Sequence, residues 1–279
     1  MADDSFRFLR PWHQLLPPAG DAVVAVAGSG GCTTTLLRLL RVYRERGARV
    51  LVSQTTAHPV PFALREQRCA PDQEAVRGSL DAHGVAWTGE GDGDRPGGLA
   101  PERLDALARE SGAEVLLVEA QASAGVVLRS EPEPAPVWPR RLQLALAVGN
   151  LAAVGRPYGP RTVVDVDEPQ FTDDGDPRRV RTEEVTRAVR SVLATVPETA
   201  RPLPFLTGFG AFRDIDGMFD LVQELVDPPR RPVVCLAELL GDERRDTADA
   251  RDRAGESESP WHDDERVYAI YPAWLDENV

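Results

Sequence analysis

Short apolar runs alternate with stretches of helical periodicity along most of this chain. The run VVAVA at residues 23–27 is bounded by glycines, as a strand buried on both faces should be. After the turn Gly28-Ser29-Gly30-Gly31, residues 33–46 place Leu36, Leu37, Leu40 and Tyr43 on one helical face, and Gly47 offers a C-cap. RVLVS at residues 49–53 predicts a second strand, so the chain opens with a strand–helix–strand unit.

The alternation continues. Residues 72–83 predict a helix, 85–87 a short strand, and 91–98 a Gly/Asp loop. A helix with proline at its start follows over 101–111, then a buried strand, EVLLV, at 114–118. Beyond a proline-rich connector at 131–139, strands are expected at 142–148 and 162–166. Thr182 is the expected N-cap of a helix running to about residue 195. A strand at 203–206, a helix over about 214–226 and a strand at 233–236 complete the set. The economical architecture is α/β, a mostly parallel sheet with helices on both faces. Four parts are expected: a leader (1–20), the α/β domain (21–240), an acidic tether (241–260) and an aromatic segment (261–279) that docks back on the domain. The tether is charged and nearly free of large apolar residues, too little to offset its ordering entropy.

Composition narrows the function. A net charge of −13 and a pI near 4.9 argue against nucleic acid or an anionic membrane as the main partner. No apolar run approaches the ~18 residues of a membrane span, and no signal pattern opens the chain, so a cytoplasmic location is expected. Cys32, Cys69 and Cys235 are too widely spaced to suggest a zinc site or disulfide framework. All 32 basic residues are arginine; the chain has no lysine.

That matters at the glycine turn. Glycines between a buried strand and a helix let backbone N–H groups face a phosphate, helped by the helix dipole. A working phosphate loop adds a lysine and then a Ser/Thr that holds magnesium. Here Cys32 stands after Gly31, followed by Thr33-Thr34-Thr35: the hydroxyls are present and the ammonium is not. Two readings stand, a phosphate site and a turn that only packs strand against helix.

Several segments resemble the YqeC-type selenium-dependent molybdenum hydroxylase accessory family, proposed P-loop NTP-binding proteins. The turn AGSGGCTTTLLRLL resembles that family's GGGGKTTL, and Ser53-Gln54-Thr55-Thr56-Ala57 its TTTTK stretch. Glu119-Ala120-Gln121-Ala122-Ser123 is similar to EADGS, and Leu128-Arg129-Ser130 through Pro136-Val137-Trp138-Pro139 to LKAP…HEPVIP. Residues 147–158 resemble VVGLDALGKPL, and the matches keep their order over roughly 20–240. The departures are systematic: Cys32, Ala57 and Gln121 replace two lysines and an aspartate, and Pro134-Ala135 a His-Glu pair. Leu206-Thr207-Gly208-Phe209 stands where an Asn-Lys-x-Asp segment would read a base.

The resemblance implies a P-loop NTPase-like three-layer sandwich that binds ATP or GTP with magnesium. The residues implied are Gly28, Ser29, Gly30, Gly31, Cys32, Thr33, Thr34, Thr55, Thr56 and Arg129, with Thr33 and Glu119 on the metal side. Arg38, Arg129 and Arg156 are the candidates for the missing positive charge. Glu119 is either that metal-side carboxylate or a solvent-facing strand end. Cys32 is either a thiolate favoured by the helix N-terminus or a packed side chain. His58 reads as a loop histidine near the ligand edge, and Trp138 as a packing anchor. No HExxH, GxSxG, paired carboxylates or repeated Cys/His spacing assigns a catalytic residue. The implied role is an accessory protein that matures a selenium- or molybdenum-dependent hydroxylase, partnered with that enzyme or its cofactor machinery. The alternatives are an atypical NTPase using arginine, and a protein-binding module without nucleotide.

Overall fold

The computed structural model describes residues 6–9, 15–121, 127–129, 134–164, 166–209, 212, 215–226, 234–238 and 266–272. Ten strands form one sheet. They are β1 (Phe6–Leu9), β2 (Ala22–Gly28), β3 (Val50–Gln54), β4 (Arg68–Cys69), β5 (Val85–Thr88), β6 (Val115–Glu119), β7 (Leu144–Asn150), β8 (Arg201–Thr207), β9 (Val234–Glu238) and β10 (Arg266–Pro272). The helices are α1 (Cys32–Glu45), α2 (Gln73–His83), α3 (Pro101–Ser111), α4 (Thr182–Ala194) and α5 (Ile215–Leu225).

The strand order is β1-β10-β9-β8-β7-β2-β6-β3-β5-β4. From β9 to β4 every neighbouring pair is parallel, whereas β10 and β1 add to the β9 edge antiparallel. This is the α/β three-layer arrangement expected, consistent with a P-loop NTPase-like architecture. The strands predicted at 23–27, 49–53 and 114–118 are β2, β3 and β6, and β6 lies between the other two.

Parallel central strands bury both faces, and β2 shows how one sequence serves two cores. Val24 and Val26 pack with Leu36, Leu39 and Tyr43 of α1, while Val23, Ala25 and Ala27 join the opposite cluster. That second cluster takes its helical side chains from α2, α3, α4 and α5. Trp138 packs against it as an anchor, its indole N–H donating to Thr195 Oγ1 at 3.1 Å.

Two local expectations change. Residues 162–164 are not in a strand: Val163 makes a single bridge to Leu128, and the segment is a turn held by the N–H groups of Thr162 and Val163 on the Gly159 carbonyl. Val163 is buried there and Val164 half-buried, without extended pairing. The N-cap of α4 is Arg181, not Thr182, because the Glu184 carboxylate accepts the Arg181 N–H at 2.8 Å and draws the helix start back one residue. The tether expected at 241–260 lies outside the described residues, as do 261–265 and 273–279 of the aromatic segment. Among the described residues no helix is long and apolar enough to cross a membrane.

Candidate functional site

Because the strands from β9 to β4 are parallel, their carboxyl ends share one edge, where α/β folds of this kind hold ligands. Five of these ends matter: the glycine turn after β2, Thr55-Thr56 after β3, Glu119 closing β6, Asn150 closing β7 and Thr207 closing β8. Register sets Glu119 level with Val26 of β2 and with Gln54 of β3. The Thr55 N–H donates to the Glu119 carbonyl at 3.1 Å, so these loops meet.

The turn needs its glycines. Gly28, Gly30 and Gly31 have φ of 122°, 71° and 130°, where other residues are strained. A Cβ on Gly28 would lie 2.1 Å from the Val148 carbonyl oxygen. The Ser29 N–H donates to that same carbonyl at 3.1 Å, and the Gly28 N–H to Gln121 Oε1 at 3.1 Å. Gln121 Nε2 reaches on to the Pro134 carbonyl at 2.8 Å. The glutamine that replaces the resembled aspartate therefore ties the turn to the proline-rich connector. Among the described residues no group accepts from the N–H groups of residues 30–34, which leaves the start of α1 suited to an anion.

Thr33 and Glu119 come together. The Thr33 hydroxyl lies 3.3 Å from each Glu119 carboxylate oxygen, and His58 Nε2 lies 3.4 Å from Oε1. His58 Nδ1 is 3.0 Å from the Pro59 carbonyl, which fixes the ring. Glu119 is only 3% exposed, so the solvent-facing alternative is excluded. Burial raises its pKa above the usual carboxylate value, and His58 and the Thr33 hydroxyl oppose that rise. The buried Oγ1 atoms of Thr55 and Thr56 have no hydrogen-bond partner among the described residues. Gly98 backs this loop, since a Cβ there would strike the Thr55 carbonyl carbon at 2.0 Å.

Cys32 takes the packed alternative. Its side chain is 1% exposed within the α1-side core, and burial, followed by the Glu119 charge, pushes its thiol well above the ordinary pKa. Contact between Cys32 and a ligand thus falls to its backbone N–H. Thr34 is half-buried in the first turn of α1. Of the three arginine candidates, Arg129 lies nearest the turn. Its backbone N–H donates to Ser29 Oγ at 3.0 Å, it is 8% exposed, and its charge is felt at Cys32. Arg156 is exposed beyond β7, and Arg38 lies in the second turn of α1.

A buried carboxylate beside a hydroxyl is the hard-oxygen donor set that magnesium takes along with phosphate oxygens and water. Among the described residues no group of three or more His, Cys, Asp or Glu forms a cage for zinc. Sequence reasoning missed two participants. Thr207 donates from Oγ1 to the Gly30 carbonyl at 2.6 Å, and Gln121 binds the Gly28 N–H. The available signal was that both stand at motif positions of the resembled family, at or just past the end of an apolar strand.

Comparison with known proteins bears on the family of the chain. The family model described as "YqeC protein" matches residues 24–167, from within β2 through the segment that follows β7. A protein of Escherichia coli (strain K12) described as "Uncharacterized protein YqeC" is 25% identical over 214 residues, covering 73% of this chain and 82% of its own length. The matched region holds the glycine turn, Thr55, Thr56, Glu119 and Arg129, and the chain belongs to the YqeC family.

Proposed function

We propose that this protein binds a nucleoside triphosphate with magnesium at the glycine turn, hydrolyses it slowly or not at all, and serves as an accessory protein in maturing a selenium- or molybdenum-dependent hydroxylase. The observation that carries the nucleotide reading is the contact of half-buried Thr33 with buried Glu119, 3.3 Å apart at the start of a helix whose first N–H groups have no acceptor among the described residues. Thr33 and Glu119 would hold the magnesium, directly or through water, and the amides of residues 30–34 would hold phosphate oxygens. The Thr55 and Thr56 hydroxyls line the same edge. Bound magnesium would neutralise part of the phosphate charge. Arg129 supplies the protein's own positive charge, because no lysine exists to do so.

Slow turnover follows from chemistry. Phosphoryl transfer depends on neutralising charge that spreads over the γ-phosphate, and the residue after Gly31 is a buried thiol rather than an ammonium. The accessory role is supported by family membership and by a site better suited to holding a nucleotide than to consuming it. Arg129 beside the turn favours one second reading, an atypical magnesium-dependent NTPase that uses arginine.

Calorimetric titration with Mg-ATP and Mg-GTP tests the first step. Binding that disappears in Glu119→Gln and weakens in Arg129→Ala is the expected result; no binding by the wild type refutes it. Turnover near the ~1–100 s⁻¹ of good phosphoryl-transfer enzymes would establish the second reading. For the accessory role, deleting the gene in a host that makes a molybdenum hydroxylase should lower hydroxylase activity while its polypeptide persists. Undiminished activity would reject that role.

A further inference from the structure

Thr207 closes β8, on the far side of β7 from the glycine turn, and is 3% exposed. Its hydroxyl lies 2.6 Å from the Gly30 carbonyl and 3.2 Å from the Gly149 carbonyl, a single proton donor facing two acceptors. We propose that Thr207 is a positioning residue for the phosphate turn, fixing the Gly30–Gly31 peptide so that the Gly31 N–H faces the ligand side. The inference rests on the phosphate-site reading above.

In a trans peptide the C=O and the following N–H point in opposite directions. A Gly30 carbonyl drawn toward Thr207 therefore sends the Gly31 N–H away from β8. Something must make that choice, because two adjacent glycines at φ 71° and 130° have wide conformational freedom. The start of the turn is held elsewhere, by Gly28 N–H on Gln121 and Ser29 N–H on Val148. Its middle is held by Thr207, which also bears on it sterically. A Cβ on Gly31 would lie 2.9 Å from Thr207 Cγ2 and 3.1 Å from its Oγ1. Hydroxyl and methyl thus act on the same peptide from a residue 177 positions away in the chain.

The full-length chain carrying Thr207→Val keeps the side-chain shape and loses the hydroxyl; Thr207→Ser keeps the hydroxyl. Both are compared with wild type by titration with Mg-ATP and Mg-GTP, by thermal midpoint, and by nitrogen-15 relaxation of the Gly30 and Gly31 amides without ligand. The valine variant should lose roughly five- to tenfold in affinity, the scale of one net hydrogen bond. Its Gly31 order parameter should fall from about 0.85 toward 0.6. The serine variant should stay within about twofold of wild type in affinity. Serine weakening binding as much as valine does, valine binding like wild type, or a Gly31 amide equally rigid in the valine variant would each overturn the proposal. Should valine fail to fold, Thr207→Ala, which also removes the hydroxyl, is read by the same measurements against the same outcomes. A wild-type chain that binds neither nucleotide overturns the phosphate reading as well, a distinct outcome from loss of this proposal alone.

Discussion

Replacing Glu119 with glutamine should stabilise the ligand-free protein at neutral pH and remove its response to magnesium nucleotide. The amide is nearly isosteric and keeps both contacts. Its oxygen can accept from Thr33 Oγ1, and its NH₂ can donate to His58 Nε2, now 3.4 Å from the carboxylate. What disappears is a buried negative charge. Burial raises the Glu119 pKa in the folded chain, so the protonated form is favoured there relative to the unfolded chain. A carboxyl shifted upward contributes stability below its unfolded pKa and loses it as pH rises through the folded value. The wild type therefore carries a penalty at pH 7 that the glutamine variant lacks. Relieving one under-compensated buried group is worth on the order of 1–3 kcal/mol, and each kcal/mol raises the midpoint of a chain this size by about 2–4 °C. Thermal unfolding of both proteins from pH 4.5 to 8 should show the variant's advantage opening as pH rises and closing toward pH 4.5. Saturating Mg-ATP should raise the wild-type midpoint and leave the variant unmoved. A variant less stable than wild type at pH 7.5, or an advantage independent of pH, would refute the reasoning.

Other outcomes follow from particular contacts. Gly28→Ala should destabilise by at least about 3 kcal/mol in urea unfolding, because its Cβ would sit 2.1 Å from a backbone oxygen at φ 122°. Thr35→Val should raise the thermal midpoint by about 2–4 °C, since Thr35 Oγ1 is buried without a partner among the described residues and valine keeps the shape. At pH 8 the native thiols should react far more slowly with a disulfide reagent than the denatured chain, since burial pushes Cys69 to about 11, Cys235 to about 12 and Cys32 well above its ordinary value. Rapid labelling of Cys32 in folded protein would return it to the role of a thiolate.

What the sequence determined by itself is local. The apolar run of β2, the three glycines, the leucine periodicity of α1 and the proline at the first position of α3 each identify an element from neighbouring residues, since backbone preference and burial act within one turn or strand. Motif order also made the family legible, because five short segments in sequence constrain more than any one does. The expected strand at 162–166 failed for the complementary reason: Val163 is buried by a turn, and burial alone does not distinguish a turn from a strand. Tertiary structure decided what the strand ends do together. Thr33 meets Glu119 across 86 residues because β6 inserts between β2 and β3, an order no local pattern encodes. Packing likewise turned the Cys32 thiol into the core and put Thr207 on Gly30. Local periodicity specifies which residues form a strand, whereas the choice of neighbour depends on how whole helices cover the sheet, and the site exists only where those choices meet.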